Sequence, residues 1–380
     1  MIGGRPLPNI LAVFYLKPDY HYIIASEDSV QDEVATNSLP AKYQPTIKPI
    51  KVKPYQPEET YNAIQSIVSK HNQDEIIIIS GSEPKSMTLG AYNYFLYRRK
   101  EVYSMQFAYI AREGLLWIDD LKSSGPYQLT IGLKDYFNSY GWNIKWKEKL
   151  PDEFDKIASL LKDDIKTSCN LLFAIKNPIS TKDKYFIPMY LKTDSSEFKL
   201  LENIAQVTNA LIEKENQQNH IKFIINNKEY LDFLTGKWLE YVVWQEASSL
   251  NMFDECGWGI EDQNKRSDKL GEIDFAGVFS GQLIIASCKT KKRLERTDFE
   301  EIDSRRQQLG GKMCSPMLIT TILKNDLSET KITQLKKWTD SREIVLVMGE
   351  NLKHLNKILI KIIKQDKNLP PDDIPCFRRI

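Results

Sequence analysis

The stretch GEIDFAGVFSGQLIIASCKTKK, residues 271–292, decides the fold of the C-terminal half. Two apolar runs of strand length, Glu272 to Phe279 and Leu283 to Cys288, flank the small-residue pair Ser280 and Gly281. A two-residue break of that kind between apolar runs predicts a tight β-hairpin. Closing the hairpin carries Asp274, on the first strand, toward Lys289 at the end of the second. A carboxylate that can ligate a hard cation, beside an ammonium that can stabilise developing phosphate charge, is the pairing phosphodiester hydrolysis needs.

Working outward, a helix ending near Leu250 precedes the hairpin and carries Gly236, Trp238, Leu239 and Glu240. After it the pattern reads helix (Asp298 to Gln308), strand (Pro316 to Thr321), helix, strand (Glu343 to Met348), helix. The first 145 residues read as βαβα: a strand at Tyr22 to Ala25, a helix from Glu58 to His71, a strand at Ile76 to Ser80 and a helix from Lys85 to Arg99, with a parallel sheet expected. Pro40, Pro45, Pro49, Pro54 and Pro57 make the intervening stretch an extended excursion. Residues 146–226 read as a connecting region, with a helix from Pro151 to Asp163, apolar segments at Leu171 to Ile175 and Tyr185 to Tyr190, and a long helix from Glu197 to Gln217. The expected organisation is α/β in both halves: 1–145, a connector at 146–226, and 227–380.

Composition narrows the chemistry. With 52 Lys and Arg against 51 Asp and Glu, a nucleic-acid partner needs a local basic patch, because bulk charge supplies none. One is present: Lys289, Lys291, Lys292, Arg293, Arg296, Arg305 and Arg306 fall within 18 positions beside Asp274. Such a run is ordinarily a solvated face; its place next to the hairpin assigns Lys291, Lys292, Arg293, Arg305 and Arg306 to a phosphate backbone, with salt-sensitive, sequence-tolerant binding expected. Five cysteines without a CxxC pair and four scattered histidines disfavour zinc and leave oxygen ligands, which suit Mg2+ or Mn2+. No apolar run approaches the roughly 18 residues of a membrane span, and the cytoplasm is the default expectation.

A second group lies in the first half. SGSEPKSM, residues 80–87, follows the Ile76 to Ile79 strand and opens a helix, the place where backbone N–H groups and the helix dipole meet an anion. Ser82, Lys85 and Ser86 are spaced for that role.

The order helix with Glu240, strand with Asp274, strand ending at Lys289 and following helix resembles the PD-(D/E)XK nuclease superfamily over roughly residues 230–350. Gly236, Leu239, Glu240, the EID triplet, the CKT tripeptide and RRQQLGG (Arg305 to Gly311) look like the effector half of the CRISPR-associated Rossmann fold (CARF) nucleases, ancillary enzymes of type III CRISPR immunity. That resemblance implies Asp274, the backbone carbonyl of Cys288 and Glu240 as metal ligands, Lys289 as the catalytic lysine, and a restriction-endonuclease-like C-terminal domain. Ser287 stands where the family usually carries Glu, so Glu240, Glu272 or a substrate phosphate would have to supply the missing ligand. In the first half, GGRPLPN (residues 3–9) with SGSEPKSM resembles the CARF loops that bind cyclic oligoadenylate. Gly4, Arg5, Asn9, Ser82, Lys85 and Ser86 would then contact the ligand, although the strand that usually precedes such a loop is short or absent as numbered. The resemblance implies a homodimer around one cyclic tetra-adenylate and metal-dependent cleavage of DNA, RNA or both. A catalytically weak signal-binding protein and a stand-alone restriction-type endonuclease are the rival readings.

Overall fold

The computed structural model describes residues 6–29, 33, 36–37, 39–111, 114–119, 122–175, 179–181, 184–191, 194–208, 212–217, 220–225, 228–264 and 271–364. Helix α1 (Leu7–Leu16) leads to β1 (Ile24–Ser26) and β2 (Ile50–Val52), which pair in parallel. Then come α2 (Pro57–Val68), β3 (Glu75–Ser80), α3 (Lys85–Arg98), β4 (Ser104–Ala111), β5 (Gly114–Asp119) and β6 (Lys122–Tyr127). The β3–β4 pair is parallel, as the βαβ pattern requires, and β5 and β6 extend that sheet as antiparallel strands. The proline-rich excursion between β1 and α2 contains β2, a strand of three residues too short to show in the pattern.

Next follow α4 (Leu133–Asn138), β7 (Ile144–Lys147), α5 (Asp152–Asp163) and α6 (Ile165–Ile175). A separate antiparallel sheet is built from β8 (Ile179–Thr181), β9 (Lys184–Leu191), β10 (Ile212–Gln217) and β11 (His220–Ile225), with α7 (Ser196–Val207) between β9 and β10. The helix expected to run to Gln217 therefore stops at Val207. The segment IEKENQ has no apolar face to hold a helix in place, and six pairs with β11 fix it as a strand. The N-cap at Ser195, whose Oγ accepts from the Phe198 N–H, marks where α7 begins.

The C-terminal half is α8 (Lys228–Asp232), continuous through one π-helical turn with α9 (Trp238–Ser249), then β12 (Glu255–Asp262), β13 (Ile273–Phe279), β14 (Gln282–Lys289), α10 (Arg296–Gln308), β15 (Cys314–Thr320), α11 (Glu329–Arg342), β16 (Val345–Val347) and α12 (Leu355–Ile363). Its sheet has the order β16-β15-β14-β13-β12-β7. β12 is missing from the sequence reading: ECGWGIED carries two glycines and little β-forming character. Gly257 has a structural cause, since a Cβ there would stand 2.8 Å from Trp146 Cγ. β7 belongs to this sheet rather than to the N-terminal one, so the change of sheet falls before residue 144, ahead of the expected division near 145.

The sheet is covered on both faces. Phe275, Ile284 and Ala286 share one core with α5, α9 and α12; Ala276, Val278, Leu283 and Ile285 share the other with α4, α10 and α11. Residues Leu7, Ile10, Leu11 and Val13 of α1 are buried in that second core too, together with Ala108 and Ile110 of β4, so the two halves are joined by common apolar packing. A third core, with Met87, Ala91, Phe95 and Phe107, holds α2 and α3 on the N-terminal sheets. Among the described residues no helix is long and apolar enough to cross a membrane.

His21, between α1 and β1, is partly buried with its Nδ1 3.2 Å from the Tyr43 carbonyl. Burial pushes the imidazole down to about 4, against the Tyr43 carbonyl, which favours protonation. The folded pKa lies below the unfolded value, so this histidine's contribution is present above about pH 6.5 and is lost as pH falls toward 4. Thermal melts across pH 7 to 4 should therefore show a loss of about 1 to 3 kcal/mol that is absent in His21→Gln; parallel curves for the two proteins would show that other groups cause the acid sensitivity.

Candidate active site

The hairpin forms as its sequence requires. Ser280 (φ 48°) and Gly281 (φ 75°) both take left-handed backbone, the pattern of a type I′ turn, and Phe279 pairs with Gln282 across it. The Ser280 N–H donates to Asp254 Oδ2 at 2.9 Å, which pins the turn. From that turn the register runs without a slip to Phe275 opposite Ala286, so Asp274 and Ser287 are the next residues in line. Asp274 Oδ2 accepts the Cys288 N–H at 2.5 Å. The carboxylate is thus held against the last turn of the hairpin ladder, next to Lys289.

Electrostatics single out the same place. Burial raises the Asp274 carboxyl above its ordinary range, opposed by the Cys288 N–H and by the charges of Lys289 and Arg305. Glu240 is pushed up to about 8, first by burial and then by the negative charge of Asp274. Its Oε2 is buried and has no hydrogen-bond partner. Glu272 adds further negative charge, and its Oε1 takes Lys147 Nζ at 2.8 Å. Helix, hairpin and edge strand β7 thus converge on a set of carboxylates that repel one another. Burial and the two carboxylates drive the Cys288 thiol far up, which excludes a thiolate at this position.

A hard divalent cation suits this donor set: it would relieve the mutual repulsion and occupy the orphaned Glu240 oxygen. Among the described residues no three His, Cys, Asp or Glu side chains form a ligand cluster. Ser287, where the resemblance would have a Glu, is buried and its hydroxyl has no hydrogen-bond partner among the described residues. Two carboxylates with water and phosphate completing the shell is the usual arrangement for Mg2+.

Lys289 Nζ lies 3.4 Å from Glu301 Oε2 on α10, and Arg305 also bonds Glu301. The basic run is largely neutralised: Lys291 pairs with Asp298 at 2.7 Å, and Arg306 with Asp303 at 2.8 Å and Glu343 at 3.1 Å. Lys292 and Arg293 are exposed. Lys147, Glu301 and Lys237, whose charge also reaches Glu240, were not singled out by the sequence. Glu301 is visible in hindsight as an i, i+4 partner of Arg305; Lys147 arrives from β7 and carries no local signal.

In the N-terminal half Gly4 and Arg5 lie outside the described residues. Asn9 is buried, and its Nδ2 donates to Ser82 Oγ at 3.3 Å, so the α1 start and the 80–87 loop do meet. The loop's donors are already engaged. Glu83 Oε2 accepts the N–H groups of Gly81 (2.9 Å) and Ser82 (3.0 Å), and Oε1 accepts the hydroxyls of Thr88 (2.9 Å) and Ser80. The Ser86 hydroxyl donates to the Pro54 carbonyl, while Lys85 is exposed at the helix start. Glu83, which the sequence reading passed over, is itself the anion at this nest.

Residues 227–360 match the family described as Card1-like, endonuclease domain. Over its length the chain has the fold of Can2 from Sulfobacillus thermosulfidooxidans, solved in complex with cyclic tetra-adenylate: 17% identity, 94% of each chain covered, TM-score 0.72. Protein VC1899 from Vibrio cholerae gives 17% identity, 95% of this chain and 97% of that one, and a TM-score of 0.71. A type III CRISPR defence DNA nuclease activated by cyclic oligoadenylate is similar at 13% identity and a TM-score of 0.50, covering 84% of this chain and 44% of that one. No curated protein matches the chain by sequence. The α/β architecture of both halves is thus the fold of these solved structures.

The unpartnered Glu240 oxygen has a measurable cost. Glu240→Gln removes a carboxyl that must take up a proton to be buried beside Asp274, and in metal-free protein near pH 7 it should raise Tm by a few degrees, equivalent to about 1 to 3 kcal/mol. Unchanged or lower Tm in a chelator-treated sample would show that Glu240 is already compensated.

Proposed function

We propose that the chain is a divalent-metal-dependent nuclease of type III CRISPR antiviral defence, cleaving DNA, RNA or both, and switched on by cyclic tetra-adenylate bound between the N-terminal domains of a homodimer. The observation that carries the reading is the convergence of Glu240, Asp274 and Lys289 at the open end of the β13–β14 hairpin. Glu240 and Asp274, with the Cys288 carbonyl, would hold Mg2+ or Mn2+. A bound ion of that kind supplies Lewis-acid charge at a phosphate and a more acidic water. Lys289 places its ammonium at the same end, steadied by Glu301 at a distance loose enough to let it turn to a phosphate oxygen. Arg305 holds Glu301 from the other side and keeps that carboxylate from drifting into the site.

The sensor half supports the activator through its resemblance in fold to the cyclic tetra-adenylate complex. Because Glu83 fills the Gly81 and Ser82 N–H nest, a ligand phosphate there must displace it or bind instead through exposed Lys85. Ser287 favours one second reading, a signal-binding protein with weak cleavage, because a metal carboxylate is replaced by a buried hydroxyl.

An assay with Mn2+, supercoiled DNA and single-stranded RNA, with and without cyclic tetra-adenylate, separates these readings. Asp274→Asn should abolish cleavage, and Lys289→Ala should slow it by about 10² or more. Ser287→Glu should raise activity at limiting metal if the hydroxyl is the weaker ligand. Cleavage surviving in Asp274→Asn would place the active site elsewhere, and no cleavage by the parent under any condition would favour the signal-binding reading. Separately, Lys85→Ala should weaken cyclic tetra-adenylate about tenfold or more by calorimetry, the loss of one charge-assisted contact; equal affinity would remove Lys85 from the site.

A further inference from the structure

We propose that the groove between α10 and α11, on the flank of α10 away from Lys289, holds a single-stranded segment of nucleic acid, with a base against Trp338 and phosphates on Arg296, Lys337 and Arg342. The proposal deepens the nuclease reading and rests on it for the substrate's identity. The groove has a volume of about 500 Å³ and is lined by those four residues with Thr333, Gln334 and neighbouring hydroxyls. Thr333, Gln334, Lys337 and Ser341 fall at helical spacing on one face of α11, and Arg296 comes from the first turn of α10.

Three features separate this groove from an ordinary solvated helix face. Its lining side chains are cationic, hydroxyl, amide or indole, and the carboxylate of Glu300 reaches it only through two of its arginines. Arg296 and Arg342 share one anion, Glu300, at 2.6 and 3.3 Å, which leaves an excess of positive charge. Nearby, burial and the charge of Arg293 lower the Lys331 ammonium against the opposing charge of Glu295, so the cations of the exposed loop and of α11 crowd one another. Such crowding is relieved by a polyanion.

Trp338 supplies the aromatic surface. It packs on Phe299 with ring centroids 5.4 Å apart, and Lys331 Nζ lies 4.7 Å from its ring centroid. The Lys331 ammonium, partly exposed and also donating to Gln334 Oε1 at 3.0 Å, makes a weaker contact with the ring than a stacked base would. An incoming base therefore replaces the lysine on the ring and releases its ammonium toward the backbone. Stacking needs an unpaired, unstacked base, which is why the occupant is single-stranded. On α10, Glu300 faces the groove through Arg296 and Arg342, while Glu301, one residue and about 100° further round the helix, faces Lys289. A strand passing from the hairpin site over Lys292 and Arg293 reaches the groove after crossing one helix, roughly 10 Å.

The test is fluorescence anisotropy on the full chain carrying Asp274→Asn, with labelled oligo-thymidylate, oligo-uridylate and an abasic phosphodiester of equal length. Lys337→Glu should weaken both base-containing oligomers about tenfold or more and lower the salt slope. Trp338→Ala should weaken them about fivefold or more, with Trp338→Phe largely restoring binding, and the abasic chain should bind correspondingly less well. The two oligomers report whether DNA or RNA is held more tightly. Because Trp338 also packs on Phe299, Lys337→Glu on the exposed face carries the test by itself if Trp338→Ala fails to fold. Equal affinity for the abasic chain, no effect of Lys337→Glu, or no oligonucleotide binding at all would overturn the proposal. Groove-dependent binding without cleavage by the unsubstituted protein would leave the groove in place and defeat only the nuclease reading.

Discussion

A two-residue turn sets the geometry of the candidate active site. Left-handed backbone at Ser280 and Gly281 closes the β13–β14 hairpin in one register, and a slip of one residue would send every side chain to the opposite face. Asp274 would then leave the Cys288 N–H, and Lys289 would no longer end the strand beside it. The turn is held from three directions: by its own φ angles, by Asp254 on the Ser280 N–H, and by Leu11 of α1, whose Cδ1 would lie 2.8 Å from a Cβ at position 281. The last contact makes glycine necessary twice over, for conformation and for space.

Charge is handled in opposite ways at the two ends of the sheet surface. On and beside α10, Lys291, Arg305 and Arg306 each have a carboxylate partner, so the largely buried Arg305, Arg306 and Asp298 are compensated in place. At the hairpin, Glu240 and Asp274 are both buried, the charge of Asp274 reaches Glu240, and both carboxyls are held at raised proton affinity. Folding tolerates that repulsion because the surrounding sheet is apolar on both faces and α9 is anchored by Trp238, Leu239, Tyr241 and Val243.

Helix α1 belongs to both halves. Asn9, in its first turn, bonds Ser82 of the 80–87 loop, and Leu11, two residues on, touches the hairpin turn. Ile10, between them, and Leu11 itself lie in one core with β13 and β14. A ligand held at the loop and the register of the site are therefore connected by a single rigid element rather than by a linker, a physical route for coupling between the two.

The hairpin was legible in the sequence because its information is local: strand-length apolar runs, a turn pair that tolerates positive φ, and acidic and basic residues at fixed offsets. Glu240 was legible by its place in the order of elements. The strand Ile76 to Ser80 and the helix after it followed from alternating periodicities, but the strand's parallel partner is β4, while Tyr22 to Ala25 lies by the separate β1–β2 pair. What the sequence could not supply were partnerships made across long separations. β12 and β7 become strands only because a neighbouring edge accepts them, and IEKENQ is a strand only because β11 lies alongside. Which cations of the basic run are neutralised depends on Glu301, Asp303 and Glu343, and whether the 80–87 loop is an open nest or one filled by Glu83 depends on side-chain placement within the folded loop. The residue types and their order were written in the chain; the pairing of buried charge, and the absence of a partner for Glu240, were decided by tertiary packing, because desolvation acts only once the sheet and its helices have closed over the site.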